Sequence, residues 1–326
     1  MEPPFRLLDL DLDRGTGPPS SPGHAVLVGL AARPRPVGGE FDVLLTAVPD
    51  PPRPWVGCPD PYATARLLRE NVTRQPAASV TLAQVLRMGA ALPAGDRLVV
   101  ESLAYSALQG GAGFRHWLAA ARPRIPRPAA EPVRLHRDGD RLTVTLDRPW
   151  VRNAFDAATR DALCEALEVA VADPSITRVD LHGNGPAFCS GGDLAEFGTS
   201  RDSAAAHLVR VGRSPAALLQ RCAAKVTAHL HGACVGAGIE LAAFAGRVRA
   251  APGTTVRLPE TGMGLIPGAG GTASLPFRIG RERTAYLALT GTPLGAVEAL
   301  AWGLVDEIGE IGGRTPPARP AEFRVT

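Results

Sequence analysis

Two stretches decide how this chain is read: residues 183–194, GNGPAFCSGGDL, and residues 232–241, GACVGAGIEL. Each leaves a short apolar run of strand length and enters a run of helical character. A glycine-rich junction of this kind exposes backbone N–H groups, and the helix dipole there favours negative charge. A third glycine-rich segment, residues 258–271, LPETGMGLIPGAGG, follows. Two glutamates lie among these segments. Glu240 stands in the otherwise apolar run IELAAFA, which predicts a buried or cleft-facing side chain rather than a surface charge. Glu260 follows Leu258-Pro259, where the plain reading is a helix N-terminal charge.

Nucleotide readings of the glycines fail on spacing. A P-loop needs G-K-[ST], and the chain's only lysine, Lys225, has no such neighbours. Neither GNGPAF nor GACVGAG meets G-x-G-x-x-G. The hydrolase elbow G-x-S-x-G is absent around Ser190.

The surrounding pattern is α/β. Val133–His136 and Arg141–Asp147 flank Asp138-Gly139, which predicts a hairpin with a type I′ turn. Asp156 is the expected N-cap of a helix carrying Leu163, Leu167 and Val171, followed by a strand at Arg178–His182. The scheme repeats with a helix at Ala204–Ala223, a strand at Val226–His231, a helix at Gly236–Ala245 and a strand at Arg247–Ala251. Thr272–Glu307 reads as mostly helical. Strand, helix, strand of this length implies parallel pairing. Before it, residues 121–132, ARPRIPRPAAEP, hold four prolines and predict a boundary between a first domain, 1–130, and a second, 131–326. The first reads as mixed α/β, with strands at Ala25–Ala32 and Phe41–Val48 and helices at Tyr62–Arg74 and Thr81–Leu92. Thr81 is the expected cap of the second helix, and Leu98–Leu108 is ambiguous. This domain carries no catalytic motif and reads as a degenerate, non-catalytic unit.

Composition narrows the class. The 326 residues are 45% hydrophobic and 21% charged, which excludes a disordered chain. The 36 glycines and 31 prolines have no G-X-Y period, so collagen is excluded. A net charge of +3 with scattered arginine gives no nucleic-acid patch. Five cysteines without a C-x-x-C pair predict reduced thiols in a cytoplasm, and the histidine spacing predicts no metal site. Met1-Glu2-Pro3-Pro4 does not read as a signal peptide, and no apolar run is long enough for a membrane span.

Taken together, the segments resemble the enoyl-CoA hydratase/isomerase (crotonase) superfamily. The resemblance rests on Leu146-Asp147-Arg148-Pro149 with Asn153-Ala154; on Ala187–Leu194; on Gly232–Leu241; and on Pro259-Glu260 with Gly264–Thr272. Thr290-Gly291, Ala296, Glu298-Ala299 and Gly303–Asp306 also match, so it covers about residues 133–308. It implies an α/β fold, a crotonase-like spiral of ββα turns carrying an additional N-terminal mixed α/β domain. It also implies an acyl-CoA thioester substrate of fatty-acid metabolism, with coenzyme A belonging to that substrate and no separate cofactor.

The resemblance assigns roles by motif position. The N–H groups of Gly192 and Ala237 would bind the thioester oxygen as enolate charge builds on it, an interaction of about 3–4 kcal/mol for one such donor elsewhere. Glu240 would orient and activate water, and Glu260 would protonate C2. Gly268 would contact the water. Ser190, Asp193 and Leu194 would form the substrate-binding turn, and Arg152 a contact to the CoA phosphates. Gly185, Gly191 and Gly236 would be turn glycines, Cys189 packing, and His229 and His231 structural. Retention of both glutamates favours hydration of a 2-enoyl-CoA. Isomerisation, hydrolysis and a non-catalytic acyl-CoA-binding subunit are the alternatives. A homo-oligomer, trimer or hexamer, or association with other pathway subunits is implied as well. The Gly- and Pro-rich stretch after Val305-Asp306 departs from the family, whose chains continue there in helices.

Overall fold

A computed structural model of the chain describes residues 3–12, 23–37 and 41–311. The tail from residue 312, with its expected lack of helices, lies outside that set.

Four short apolar runs open the structure: β1 (Phe5–Asp9), β2 (Val26–Leu30), β3 (Val43–Thr46) and β4 (Trp55–Gly57). They form a sheet in that order with every neighbour parallel. Such continuous apolar strands suit a sheet covered on both faces. Val26, Val28, Val43 and Leu45 join the main core, while Leu27, Leu44 and Trp55 meet Phe41 in a second cluster on the other side.

Four helices follow: α1 (Pro61–Arg74), α2 (Pro76–Gly89), α3 (Ala94–Gln109) and α4 (Ala112–Ala120). Asp60 caps α1 by accepting the Ala63 N–H at 2.8 Å, with Pro61 in the first turn. The expected cap at Thr81 is corrected: α2 begins at Pro76, and Thr81 lies inside it. Proline cannot extend α1, yet its fixed φ suits the first turn of the next helix. The ambiguous Leu98–Leu108 belongs to α3. Residues 121–132 form neither helix nor strand.

β5 (Val133–Asp138) and β6 (Arg141–Leu146) pair antiparallel. Their register sets Asp138 opposite Arg141, so the loop residues are Gly139 and Asp140, with positive φ at Gly139 alone. That is the pattern of a type II′ turn, one residue on from the type I′ turn expected.

The rest winds as a spiral. α5 (Ala157–Ala172), capped by Asp156, leads to β7 (Arg178–Gly183), parallel to β6. The single helix expected at 204–223 is two, α6 (Ser203–Gly212) and α7 (Pro215–Cys222), because Pro215 breaks the ladder and Ser214 caps the restart. Then come β8 (Val226–Leu230), β9 (Ala233–Val235), α8 (Ala237–Ala242), β10 (Arg247–Ala250) and β11 (Thr255–Arg257). The last elements are α9 (Gly271–Ile279), α10 (Arg281–Thr290), β12 (Leu294–Gly295), α11 (Ala296–Trp302) and β13 (Glu307–Ile308). β8 and β10 join a six-stranded sheet, ordered β13-β10-β8-β7-β6-β5, while the strands that follow them, β9 and β11, join a small sheet, β12-β11-β9. This is the crotonase ββα architecture with an additional N-terminal mixed α/β region.

One apolar core joins Val28, Leu68 and Leu82 to Ile239, Leu275 and Leu287. Polar ties cross the same boundary: Asn71 Nδ2 donates to the Leu289 carbonyl at 3.0 Å, and Arg283 Nη2 to the Pro51 carbonyl at 2.7 Å.

Arg148 is the buried ion that fixes the loop after β6. It is 1% exposed and pairs with Asp156 at 2.8 Å and Asp193 at 3.1 Å, which lie in two different turns of the spiral. Arg148→Met should lower stability by about 3 kcal/mol, because it strands two carboxylates near the core. A shift of the urea unfolding midpoint measures this.

Candidate active site

The loop after β6 carries two consecutive non-glycine residues with positive φ, Arg152 and Asn153, both at 54°. Asn153 is held there by its side chain. Oδ1 accepts the Arg148 N–H, and Nδ2 donates to the carbonyls of Asn184, Ala187 and Phe188. The amide thereby fixes the 187–194 segment against the loop. Strain of this sort persists only where surroundings over-determine it. Ser190 follows, its N–H on the Arg152 carbonyl, and Asp193 is pinned by Arg148 and by the Ala195 N–H. Phe155 clasps the same turn from both sides, donating to Gly191 O and accepting from the Asp193 N–H. Gly192 stands between these two bonds, and its own N–H is in no hydrogen bond among the described residues. Ala237 opens α8, so its N–H has no partner within the helix.

Gly236 explains why the second segment needs glycine. Its φ is +50°, and a Cβ there would collide with Glu260 Oε1 and lie 3.7 Å from Glu240 Oε1. The two carboxylates therefore converge on one point beside the start of α8. Glu240 is 2% exposed, and its Oε2 accepts N–H bonds from Ala269 at 2.7 Å and Gly271 at 2.9 Å. Glu260 Oε2 is buried with no hydrogen-bond partner among the described residues.

All nine sequence-predicted residues line one of two adjoining cavities. Gly192, Ala237, Glu240, Glu260 and Gly268 line a cavity of about 310 Å³. Arg152, Ser190, Asp193 and Leu194 line another of about 740 Å³, which Gly192 and Glu260 also border. The larger cavity is cationic at its rim, with Arg124, Arg127 and Arg257 beside Arg152. The turn glycines behave as expected: φ is +83° at Gly185 and +96° at Gly191. Cys189 is buried among apolar groups, which pushes its thiol up to about 12.

The sequence reading missed what α3 contributes. Glu101, 2% exposed, accepts from the N–H groups of Gly270 and Thr272, each at 2.7 Å, and from the Thr272 hydroxyl at 2.6 Å. Tyr105, one turn on, lies against Gly268, so that a Cβ on Gly268 would sit 2.5 Å from the Tyr105 ring. Both line the smaller cavity. The signal that singled out Glu240, a lone glutamate in an apolar helix, is equally present in VVESLAYSAL at residues 99–108.

Burial raises all three carboxyl groups. Glu101 moves from 4.5 to about 7 and Glu260 to about 8, while Glu240 rises well above its ordinary value. Desolvation is the main cause in each. For Glu240 the neighbouring Glu260 and Glu101 add to it, and the Ala269 and Gly271 N–H groups oppose it.

Away from this site, Asp180, His182 and His229 come within 4.8 Å of one another on the six-stranded sheet, a grouping that histidine spacing does not announce. Asp180 is engaged on both oxygens, by His229 Nε2 at 2.6 Å and Arg141 Nε at 2.5 Å. His231 Nε2 meets the Gly185 carbonyl at 3.0 Å. No helix among the described residues is long and apolar enough to cross a membrane.

The profile of the Enoyl-CoA hydratase/isomerase family matches residues 141–310. The chain therefore belongs to that family. It is 33% identical over 174 residues to the enoyl-CoA isomerase/hydratase fer4 of Mycosarcoma maydis, covering 51% of this chain and 64% of that protein. It is 40% identical over 167 residues to a probable enoyl-CoA hydratase of Rhodobacter capsulatus, covering 50% and 63%. Among solved structures, an enoyl-CoA hydratase from Thermoplasma volcanium aligns with a TM-score of 0.50 at 33% identity, over 55% of this chain and 72% of that one. Pseudomonas aeruginosa DspI aligns with 0.52 at 26%, over 57% and 71%. The aligned stretch thus spans less than two thirds of either curated relative.

The raised carboxyl groups set a pH dependence of stability. Between about 4.5 and about 8 the folded chain holds protons that the unfolded chain releases. This stabilisation is complete below the lower value and lost as pH rises through the upper ones. The melting temperature should fall from pH 5 to pH 8.5, and fall less in Glu260→Gln. Calorimetry at constant ionic strength is the measurement.

Proposed function

We propose that this protein adds water across the C2=C3 bond of a 2-enoyl-CoA. The observation that carries the reading is the convergence of Glu240 and Glu260 beside Gly236, in a cavity that the Gly192 and Ala237 backbones also line. Hydration needs a proton acceptor and a proton donor on one substrate, and a place for charge on the thioester oxygen between the two transfers.

The steps balance as follows. Water lies between the carboxyl groups. Its proton passes to the Glu240 carboxylate as its oxygen bonds to C3. The C2=C3 π pair moves toward C1, and negative charge collects on the thioester oxygen, opposite the Gly192 and Ala237 N–H groups. Protonated Glu260 then delivers its proton to C2, and a proton passing from Glu240 to Glu260 resets the pair. The division of roles is the one that motif position implies, and the surroundings support it. The Ala269 and Gly271 N–H groups on Glu240 Oε2 favour its ionised form, the form a base needs, against the burial that raises it. Glu260 Oε2 has no such support, and burial keeps its proton on to about pH 8. The arginines at the rim of the larger cavity suit the phosphates of coenzyme A.

Purified protein should consume crotonyl-CoA, with loss of the conjugated thioester absorbance. Glu240→Gln and Glu260→Gln should each lower kcat by about a hundredfold or more. The wild-type kcat should fall as pH rises through about 8, because the donor form of Glu260 is lost. Binding of crotonyl-CoA without turnover would sink the reading, and turnover of a 3-enoyl-CoA alone would replace it with isomerisation.

A further inference from the structure

The wall of the smaller cavity contains a cation that forms no ion pair among the described residues. Arg210, on α6, is half-buried and lines this cavity, as do Leu98, Val99 and Val211. Its guanidinium meets only neutral acceptors among the described residues: Nε donates to Ser102 Oγ at 3.1 Å, Nη1 to Gln109 Oε1 at 3.3 Å, and Nη2 to Ser106 Oγ and the Ser102 carbonyl. Those are four acceptors for five N–H groups, which leaves one donor over. The ring of Tyr105 lies 4.9 Å from its central carbon. Burial works against the charge.

Several other charged groups of this cavity have partners, whereas Glu260 Oε2 has none among the described residues. Arg160 and Arg213 both pair with Asp161, at 2.9 and 3.3 Å. Asp156 pairs with Arg148, and Glu196 accepts the Ala157 N–H at 3.0 Å. Glu101 is the nearest claim on Arg210, yet both of its oxygens are taken by Gly270 and Thr272, and no ion pair joins the two among the described residues. The polar groups that carry Arg210 come from α3, so the extra N-terminal region builds this part of the wall.

We propose that the cavity takes an acyl chain ending in a carboxylate, and that Arg210 is the residue that reads it. The substrate class would be the CoA monothioesters of dicarboxylic acids. An aliphatic acyl chain would cover the guanidinium without pairing its charge, whereas a terminal carboxylate would gain a charge-assisted hydrogen bond from a half-buried cation. The inference deepens the acyl-CoA reading of the site and is tested by binding, which does not depend on turnover.

Isothermal titration with matched saturated thioesters, from glutaryl-CoA to suberyl-CoA against their methyl-ended counterparts, gives the preference directly. At one chain length or more the carboxylate form should bind roughly tenfold tighter, the scale of one charge-assisted hydrogen bond. Arg210→Met should collapse that ratio toward one, and Arg210→Lys should retain part of it. A role confined to joining α6 to α3 would weaken both ligands together and leave the ratio unmoved. The wild-type comparison needs no variant, so a poorly folded Arg210→Met protein does not shield the idea. Equal affinity at every length, or a preference that persists in Arg210→Met, overturns it. Retained preference without crotonyl-CoA hydration would uphold it while removing the hydratase reading.

Discussion

Four successive backbone N–H groups, at Ala269, Gly270, Gly271 and Thr272, are shared in alternation between two buried carboxyl groups. Those of Ala269 and Gly271 go to Glu240, and those of Gly270 and Thr272 go to Glu101. The start of α9 presents donors that the helix itself cannot satisfy. One glutamate comes from the spiral and the other from the added N-terminal region. Neither could be moved without stranding its pair of donors, so the position of Glu240 beside Gly236 depends on both. The glycines of this segment follow from the crowding: a Cβ on Gly271 would lie 2.7 Å from Glu240 Cγ.

The same arrangement makes the N-terminal region part of the wall of the candidate site. α3 brings Glu101 to the α9 terminus, sets Tyr105 over Gly268, and carries the serines that hold Arg210. Phe114 and Trp117 of α4 stack at 6.0 Å, and both rings lie near Phe197, which borders both cavities. A cavity between two segments of chain can be altered on one side while the spiral that holds Glu240 and Glu260 keeps its register.

What the sequence revealed divides along a physical line. Glu240, Glu260, Gly192 and Ala237 were legible because each sits in a short contiguous motif where backbone conformation and chemistry are read together. The spiral was legible because strand and helix alternate at regular spacing. The helix breaks were harder, although their causes are local: Pro76 and Pro215 each start a helix where apolar periodicity alone runs on or begins late. The hairpin register turned on one residue, since either Asp138-Gly139 or Gly139-Asp140 can occupy the loop, and strand pairing decides. Glu101 and Arg210 carry no motif. Their meaning lies in contacts with chain more than a hundred residues away, at Thr272 and Ser102. Periodicity cannot encode such contacts, though an isolated glutamate among apolar neighbours does flag a buried charge.

The bond from Thr272 to Glu101 joins residues 171 positions apart. During synthesis Glu101 emerges long before its partners exist, and Glu240 also precedes them. Until residues 269–272 leave the ribosome, two glutamates bound for the interior must stay hydrated, because burial without donors opposes their charge. The cavity wall therefore cannot close before residues 269–272 have been made. A nascent chain stopped short of residue 269 would hold both carboxyl groups and most of the apolar core, yet lack every backbone N–H group that seats them.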